Sequence, residues 1–223
     1  MTITVRLDSP ILLRNEEAAR EIRDLCQENK IFLVNIMSSP GAGKTTLLEA
    51  TLRRLDRRVR TAVIEGDLAT TRDADRIAAL GVPAVQLNTN GACHLDARMV
   101  LQALSQLDLA NLDLVIVENV GNLVCPAEFD LGESLRVVVL STTEGNDKVS
   151  KYPLIFRTAG LMVLNKVDLL PYTDFSVPEL AADTRLINPD LEILHVSARS
   201  GDGLDAWVQR LSQTVNTVNA VPS

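Results

Sequence analysis

Short apolar runs alternate along this chain with longer segments in which apolar residues recur every three or four positions. Runs of the first kind are typical of buried strands, and segments of the second kind are typical of amphipathic helices. Because most of the runs are apolar on both faces, they predict a parallel sheet that helices cover on both sides. The predicted strands span residues 31–37, 60–67, 83–89, 113–120, 135–142, 160–166 and 192–198.

Helices are predicted between these runs. Asn15, followed by Glu16 and Glu17, is typical of a helix start, because a capping side chain and nearby acidic residues both stabilise that end. We expect this first helix to extend to about residue 29. Further predicted helices span residues 44–56, 73–80 and 94–107, and a last one is marked by Leu204, Trp207, Val208 and Leu211.

Length and composition favour one globular domain. The chain has 223 residues, of which 46% are hydrophobic and 23% are charged. We expect one domain over residues 1–223, with an N-terminal arm at 1–14 and a frayed tail at 216–223. The net charge of −7 and the aromatic content of 3% argue against a nucleic-acid-binding protein.

Cysteine content and hydropathy bear on the compartment. Three cysteines cannot all pair, which favours a reducing environment. The first residues lack the pattern of a signal peptide, and no apolar run has the roughly 18 residues that span a bilayer. We therefore expect a cytoplasmic protein without a membrane segment.

The loop at 38–46, SSPGAGKTT, lies between a predicted strand and a predicted helix. Gly43, Lys44 and Thr45 match the P-loop pattern G-x-x-x-x-G-K-[ST], whereas Ser38 stands at its first glycine. Lys44 is predicted to reach the β- and γ-phosphates, and the Thr45 hydroxyl to bind Mg²⁺. The alternative is a glycine turn with an exposed lysine. The predicted phosphate-binding residues are Gly41, Ala42, Gly43, Lys44, Thr45 and Thr46.

Two short motifs favour guanine as the base. Asp168, in Asn165-Lys166-Val167-Asp168, can accept hydrogen bonds from N1–H and the exocyclic amine of guanine, a donor pair that adenine lacks. Asn165 is expected at the other edge of the base and the Lys166 stem on its ring. The backbone of Ser197-Ala198 is placed to donate to the guanine carbonyl. The alternative is a polar turn at the end of each strand. These motifs follow a P-loop at strand ends, where parallel sheets bind ligands.

Two carboxylates are candidates for the Mg²⁺ and water roles. Asp67 ends the second predicted strand, and Glu118 lies near the end of the fourth. Carboxylate oxygens suit Mg²⁺, and either residue can act through a metal-bound water. Together with Lys44 they form the predicted catalytic set. Asp73 is interpreted as an ordinary helix-entry acid.

A third group of residues has the chemistry of a soft-metal site. Cys93 and His94 are expected to open a helix, and Cys125 follows seven residues after Glu118. Thiolates and imidazole suit nickel and zinc, but three ligands cannot close a four-coordinate site. Two chains would offer six. The alternative is that these side chains are small buried hydrophobic groups, which is our interpretation of Cys26. We interpret His195, inside a predicted strand, as a core histidine.

Six segments together resemble the hydrogenase nickel-incorporation GTPase family, HypB. The likeness implies a P-loop NTPase three-layer α/β sandwich with a mostly parallel sheet of about seven strands. It also implies GTP-dependent nickel delivery to the hydrogenase large subunit, with a second nickel-delivery accessory protein as partner. In that family the residues at Cys93, His94 and Cys125 bind nickel or zinc at a homodimer interface. The segments are SSPGAGKTTLLE, IEGDLATTRDADRI, NGACHLDA, ENVGNLVCPAEFDLGE, TEGNDK and NKVDLL.

The chain departs from some members of that family. It has no cysteine before Cys26 and only two histidines, so neither an N-terminal nickel motif nor a histidine-rich stretch is present in this sequence. The leading hypothesis is a GTPase that couples hydrolysis of GTP to GDP with metal transfer. Its turnover is expected to be slow, because no arginine or glutamine is identifiable from the sequence as a transition-state stabiliser. The alternatives are the related urease accessory GTPase, a non-catalytic metal-binding adaptor and a small-molecule kinase. Cys93-His94-Leu95 differs from the Cys-Pro-His motif of the urease family.

Overall fold

The computed structural model describes residues 10–67, 76–89 and 91–219, and within them seven strands form one sheet. The strands are β1 Phe32–Ser38, β2 Thr61–Asp67, β3 Ala84–Asn88, β4 Leu114–Glu118, β5 Leu135–Ser141, β6 Leu161–Asn165 and β7 Glu192–His195. Their order is β3-β2-β4-β1-β5-β6-β7, and every pairing is parallel. The predicted α/β class is confirmed.

Eight α-helices that both begin and end within the described residues flank this sheet. They are α1 Pro10–Asn29, α2 Lys44–Arg54, α3 Ala97–Leu104, α4 Cys125–Glu128, α5 Lys148–Lys151, α6 Pro153–Thr158, α7 Val177–Ile187 and α8 Leu204–Asn219. None of the described helices combines the length and the apolar character that crossing a bilayer requires.

Helices cover both faces of the sheet, which makes the fold a three-layer sandwich. Helices α2 and α8 pack on one face. Helices α1 and α3 pack on the other face, which continues into a cluster from α4 to α7. Trp207 of α8 is fully buried, and its Nε1 donates a 2.8 Å hydrogen bond to Oγ1 of Thr51 in α2. This contact fixes the last helix to the helix that follows the P-loop.

The carboxyl ends of the central strands meet at one edge of the sheet. Ser38 ends β1, Glu118 ends β4 and Asn165 ends β6, and all three side chains are buried. The chain passes from β1 to β2 on one side of it, and later passes from β4 across β1 to β5 on its other side. Parallel sheets bind ligands at such a point. The fold therefore brings three of the predicted motifs to one crevice.

The first helix differs from its prediction. It begins at Pro10, so residues 10–14 of the predicted arm are helical, and Asn15 lies inside the helix and does not cap it. Asn15 is only 4% exposed, because its amide binds two other segments of the protein. At the other end of the chain, the backbone of residues 216–219 continues α8 to Asn219.

Two further local predictions were wrong, and one helix was not predicted. Helix α3 begins at Ala97 after the cap Asp96, so Cys93 and His94 precede the helix and do not open it. His195 is exposed at the end of the edge strand β7 and is not a core residue. Helix α7 was missed, although Ser176 and Glu179 are spaced as in a capping box, and the Ser176 hydroxyl accepts from the Glu179 N–H.

Candidate functional site

The P-loop leaves the end of β1 and enters α2 through two glycines in the left-handed region. Gly41 has φ of 77° and Gly43 has φ of 97°. A Cβ on Gly43 would lie 2.6 Å from Nδ2 of Asn165, so both the backbone angle and the neighbouring strand end require glycine there. The first residues of α2, Lys44 to Thr46, line the crevice, and a helix N-terminus offers phosphate N–H groups that have no partner within the helix.

Ser38 takes a specific role at the position where the P-loop pattern has glycine. Its Oγ accepts a 2.9 Å hydrogen bond from Nζ of Lys44, and it donates to the carbonyl of Ser39 at 2.6 Å. Lys44 is only 8% exposed. The ammonium group is therefore held inside the loop, where it can meet the phosphates of a nucleotide.

A cavity of about 290 Å³ lies beside the P-loop. Asn165 closes its inner end, because its Nδ2 donates to the Ala42 carbonyl at 2.9 Å and its Oδ1 accepts from the Ala198 N–H at 3.1 Å. Lys166, at φ of 61°, crosses to the P-loop, where its Nζ donates to the Gly41 carbonyl at 2.7 Å. The cavity is lined by Gly43, Thr46, Asn165, Lys166, Asp168, Leu169, Ser197, Ala198 and Arg199.

Asp168 is fixed against one wall of this cavity. Its Oδ1 accepts a 2.6 Å hydrogen bond from the Ser197 hydroxyl, which itself accepts from the Ser200 N–H. The backbone N–H of Ser197 donates to the Asp202 carbonyl, and that of Ala198 donates to Oδ1 of Asn165. Both N–H groups that were predicted to contact the base are therefore already hydrogen-bonded within the protein. That contact and the base contact of Asn165 stay predictions. Arg199 is a lining residue that the sequence analysis did not identify.

Two carboxylates stand side by side at the phosphate end of the crevice. Oγ1 of Thr45 donates to Oε1 of Glu118 at 2.8 Å, and Glu65 pairs in register with Glu118 on the neighbouring strand. Both glutamates are buried and line a cavity of about 540 Å³ with the P-loop and Arg76. Adjacent buried carboxylates repel each other unless a cation or a proton lies near them, and hydroxyl and carboxylate oxygens suit Mg²⁺.

Glu65 was not among the candidate carboxylates predicted from the sequence. It lies in β2, two residues before Asp67. The backbone of Asp67 ends β2. Its side chain lies outside the described part of the structure, as does the whole of Asp73. The Mg²⁺ role of Asp67 therefore stays a prediction.

Cys93, His94 and Cys125 come together at the surface. The Sγ atoms of Cys93 and Cys125 are 2.8 Å apart, and Sγ of Cys93 is 3.7 Å from Nδ1 of His94. Possible ligand atoms of the three residues all lie within 4.8 Å of one another. Asn122, which the sequence analysis did not identify, donates from its Nδ2 to the Cys93 carbonyl at 3.3 Å.

The surroundings set the protonation of this cluster. Burial lowers the pKa of His94, whose ring lies on Phe129 at a centroid distance of 3.9 Å, so the imidazole is neutral and available as a ligand. A hydrogen bond with Cys93, and secondly burial, raise the pKa of the Cys125 thiol. Cys26 differs, because it lies in the hydrophobic core, as predicted, and burial there raises its pKa to about 11. Two thiols and a neutral imidazole suit nickel or zinc.

These features define a P-loop nucleotide-binding domain that carries a cysteine–histidine cluster. Residues 32–195 match the family model described as CobW/HypB/UreG, nucleotide-binding domain. The chain is 53% identical to a hydrogenase maturation factor HypB of Azotobacter vinelandii over 92% of this chain and 67% of that protein. It is 50% identical to the Escherichia coli K12 protein of the same name, over 93% and 71%. The chain belongs to the HypB branch of this family.

Solved structures agree with this assignment. The crystal structure of HypB from Helicobacter pylori in complex with nickel superposes with a TM-score of 0.87 at 36% identity, over 92% of this chain and 96% of that chain. The hydrogenase maturation factor HypB of Archaeoglobus fulgidus superposes with a TM-score of 0.86 at 39% identity, over 92% and 100%. The family and fold that the sequence motifs implied are confirmed.

Proposed function

We propose that this chain is a cytoplasmic GTP-hydrolysing metallochaperone. It couples GTP-dependent dimerisation to nickel delivery during the maturation of nickel–iron hydrogenase. The observation that carries the proposal is the cluster of Cys93, His94 and Cys125 on a P-loop domain. Cys125 lies on the segment that leaves β4 directly after Glu118, so one segment serves both sites.

The base-binding cavity supports GTP as the nucleotide. The Asp168 carboxylate faces the cavity with its Oδ1 anchored by Ser197, which leaves Oδ2 and the second lone pair of Oδ1 for donors on the ligand. Guanine presents two such donors on one edge, whereas adenine would place an acceptor against the carboxylate. A charge-assisted contact of this kind discriminates strongly between bases.

Hydrolysis would use the groups at the phosphate end of the crevice. Lys44 would neutralise charge on the β- and γ-phosphate oxygens, and Thr45 with Glu118 would hold Mg²⁺ directly or through water. Bound Mg²⁺ would supply Lewis-acid neutralisation of the same phosphate charge. Glu65 and Glu118 would orient water at this end of the site.

Nickel is the proposed cargo, and a second chain would complete its site. One chain offers two thiols and one imidazole, fewer donors than a closed four-coordinate site needs. Two chains related by a two-fold axis would supply up to six. A site shared between chains assembles and opens with the dimer, so the nucleotide state can control release to the hydrogenase large subunit and to a second accessory protein.

The decisive experiment is analytical ultracentrifugation combined with nickel titration. We expect a monomer without nucleotide or with GDP, and a dimer with a non-hydrolysable GTP analogue, Mg²⁺ and nickel. Nickel should bind the analogue state more tightly, and linkage requires nickel to favour that state by the same factor. Identical mass and identical nickel affinity with GDP and with the analogue would contradict the proposal.

Two variants separate the activities. Lys44→Ala should abolish phosphate release from GTP, whereas Cys93→Ala should abolish nickel binding and leave phosphate release measurable. Cys26→Ala is the matched control for Cys93→Ala, because Cys26 is a core thiol away from the cluster. Absence of phosphate release from the wild-type protein with GTP and Mg²⁺ would instead favour a non-catalytic metal-binding adaptor.

Delivery to urease is a second candidate. The Helicobacter hepaticus relative, 40% identical over 90% of this chain and 84% of that protein, is named a hydrogenase/urease maturation factor HypB. Nickel transfer from the loaded protein to apo-urease and to the apo-hydrogenase large subunit, measured in parallel, distinguishes the two destinations. Hydrogenase is expected to acquire nickel first.

A further inference from the structure

A buried asparagine connects the nucleotide site to the loop that carries His94. Asn119 follows Glu118 at the end of β4 and is 1% exposed. Its Oδ1 accepts hydrogen bonds from the Leu95 N–H at 3.1 Å and from the Val120 N–H at 2.9 Å. Leu95 directly follows His94, so this bond fixes the backbone beside a candidate metal ligand.

The Nδ2 end of the same amide belongs to a polar network that includes residues of β1 and β5. Nδ2 of Asn119 donates to Oδ1 of Asn35 at 3.2 Å, and Nδ2 of Asn35 donates to Oε1 of Glu133 at 3.3 Å. Oε2 of Glu133 accepts from the Leu131 N–H at 2.8 Å. Nε of Arg136 donates to Oε1 of Glu133 at 2.6 Å, which places an ion pair at the end of the network.

Arg136 connects this network to the second of the two segments that carry the candidate metal ligands. We call these segments, residues 91–96 and 121–131, the metal loops, and the second contains the short helix α4. Its guanidinium donates to the carbonyl of Ala127 at 3.3 Å and to that of Phe129 at 3.4 Å. Ala127 lies two residues after Cys125, and the Phe129 ring packs on His94. The chain of bonds that starts beside Glu118 therefore ends on both loops that supply the metal ligands.

The position of these amides in the core makes their geometry costly to change. Asn35 is fully buried in the middle of β1, and the Glu133 carboxylate side chain is 4% exposed. A buried polar group that loses its partner pays the full desolvation cost, so such a network holds one arrangement or changes as a unit. A displacement of Asn119 would therefore shift the backbone of both metal loops.

We propose that Asn119 is a positioning residue that couples nucleotide binding to the geometry of the metal ligands. Occupation of the phosphate cavity changes the partners of Thr45 and Glu118, and the peptide bond from Glu118 to Asn119 transmits that change to the network. The proposal rests on the function proposed above, and it assigns the coupling to named atoms. Asn119 lines the phosphate cavity, but it is neither one of the three candidate metal ligands nor part of the lining of the base cavity.

The test measures the ratio of the nickel Kd with GDP to the nickel Kd with a GTP analogue, and a general loss of stability does not alter this ratio. Nickel Kd is determined by titration with GDP and with a non-hydrolysable GTP analogue, both with Mg²⁺. The wild-type ratio is expected within the range of about 5–150-fold that coupled sites show. Asn119→Ala should bring it close to one. The control is Asn188→Ala, since the Asn188 amide also makes three hydrogen bonds, to the carbonyls of Phe156, Arg157 and Ala159, away from both sites.

Each outcome is decisive. Wild-type coupling in Asn119→Ala, or equal loss of coupling in Asn188→Ala, would overturn the assignment to Asn119 and leave the proposed function intact. A wild-type ratio of one would overturn both. If circular dichroism shows that Asn119→Ala does not fold, Asn35→Ser replaces it, because Asn35 is the next member of the network after Asn119. An unchanged ratio in Asn35→Ser would overturn the proposal.

Discussion

The Thr45 hydroxyl donates a 2.8 Å hydrogen bond to Oε1 of Glu118, a residue 73 positions further along the chain. This bond joins the start of α2 to the end of β4. It places a hydroxyl and a carboxylate together in the lining of the phosphate cavity, with Glu65 on the neighbouring strand. The pair is therefore the centre of the proposed Mg²⁺ site.

Removing the charge of Glu118 should weaken the binding of Mg²⁺ at this pair. In Glu118→Gln we expect the Mg²⁺ concentration for half-maximal phosphate release to rise at least about tenfold, since a charge-assisted contact contributes roughly 1.5–3 kcal/mol. The matched control is Glu192→Gln, because Glu192 lies on the edge strand β7, where its carboxylate pairs with Arg210 of α8. An Mg²⁺ requirement unchanged from wild type in Glu118→Gln would exclude this site.

Base selection should depend on Asp168. Asp168→Asn should weaken GTP binding by about 2–3 kcal/mol, or roughly 30–150-fold, because an amide cannot accept from both donors of guanine. Xanthosine triphosphate carries a carbonyl where guanine has its amine, so its affinity should rise in the same variant. Competition of both nucleotides against a fluorescent GTP analogue measures this exchange. Asp174→Asn, at an exposed position nearby, should behave as wild type.

The strands and the phosphate loop could be predicted from the sequence because their signals are local. Apolar runs such as residues 31–37 show burial on both faces, and Gly43, Lys44 and Thr45 are contiguous. The pairing of Glu65 with Glu118 could not be predicted, since it depends on the register of β2 against β4. For Asn15, the local pattern favoured a cap, but the helix begins earlier, at Pro10, and the Asn15 side chain binds two distant segments.

The metal cluster shows the same limit. The residue types and the family resemblance indicated Cys93, His94 and Cys125, and the structure brings them together. The buried network beneath them was not predicted, because its members are far apart in the sequence: Asn35 lies in β1, Arg136 lies in β5, and Asn119 and Glu133 lie in loops. One signal was present in the sequence, namely the single polar residue, Asn35, inside an otherwise apolar strand.

The three cysteines should differ in reactivity. At pH 8 iodoacetamide should leave Cys26 unmodified in the folded protein, because the residue is 5% exposed and burial raises its pKa to about 11. Cys125 should react faster in Cys93→Ala than in wild type, because the Cys93 hydrogen bond is the main cause that raises the Cys125 pKa. Peptide mass spectrometry over time measures each rate, with Cys26→Ala as the control. A slower Cys125 in Cys93→Ala would contradict this account.

Nickel affinity should rise with pH between 6.5 and 8. The raised pKa of Cys125 keeps its thiol protonated in this range, so binding must release that proton. Each proton released strengthens apparent affinity about tenfold per pH unit. His94 adds little above pH 6.5, because burial lowers its pKa and the ring is already neutral. In Cys125→Ala the slope should fall by about one proton, and an equal slope in both proteins would contradict the assignment.

Asn15 should hold the two metal loops together from the side of α1. Its Oδ1 accepts from the Ala97 N–H at 2.8 Å, just after the Cys93-His94 loop, and its Nδ2 donates to the Asp130 carbonyl at 2.7 Å, on the Cys125 loop. Asn15→Ala leaves both groups without this partner, so we expect a loss of about 2–4 kcal/mol in the free energy of unfolding.

The same variant should bind nickel about tenfold more weakly with either nucleotide. GTP affinity should change less than about twofold, because neither loop that Asn15 binds forms part of the base cavity or the P-loop. Urea unfolding and nickel titration measure the two effects. Asn29→Ala is the control, since Asn29 lies on the same helix and its amide donates only to Leu25 within that helix. Asn15→Asp keeps the acceptor for Ala97 and loses the donor to Asp130, so it should bind nickel with intermediate affinity. Wild-type nickel affinity in Asn15→Ala would show that α1 supports the fold without positioning the metal loops.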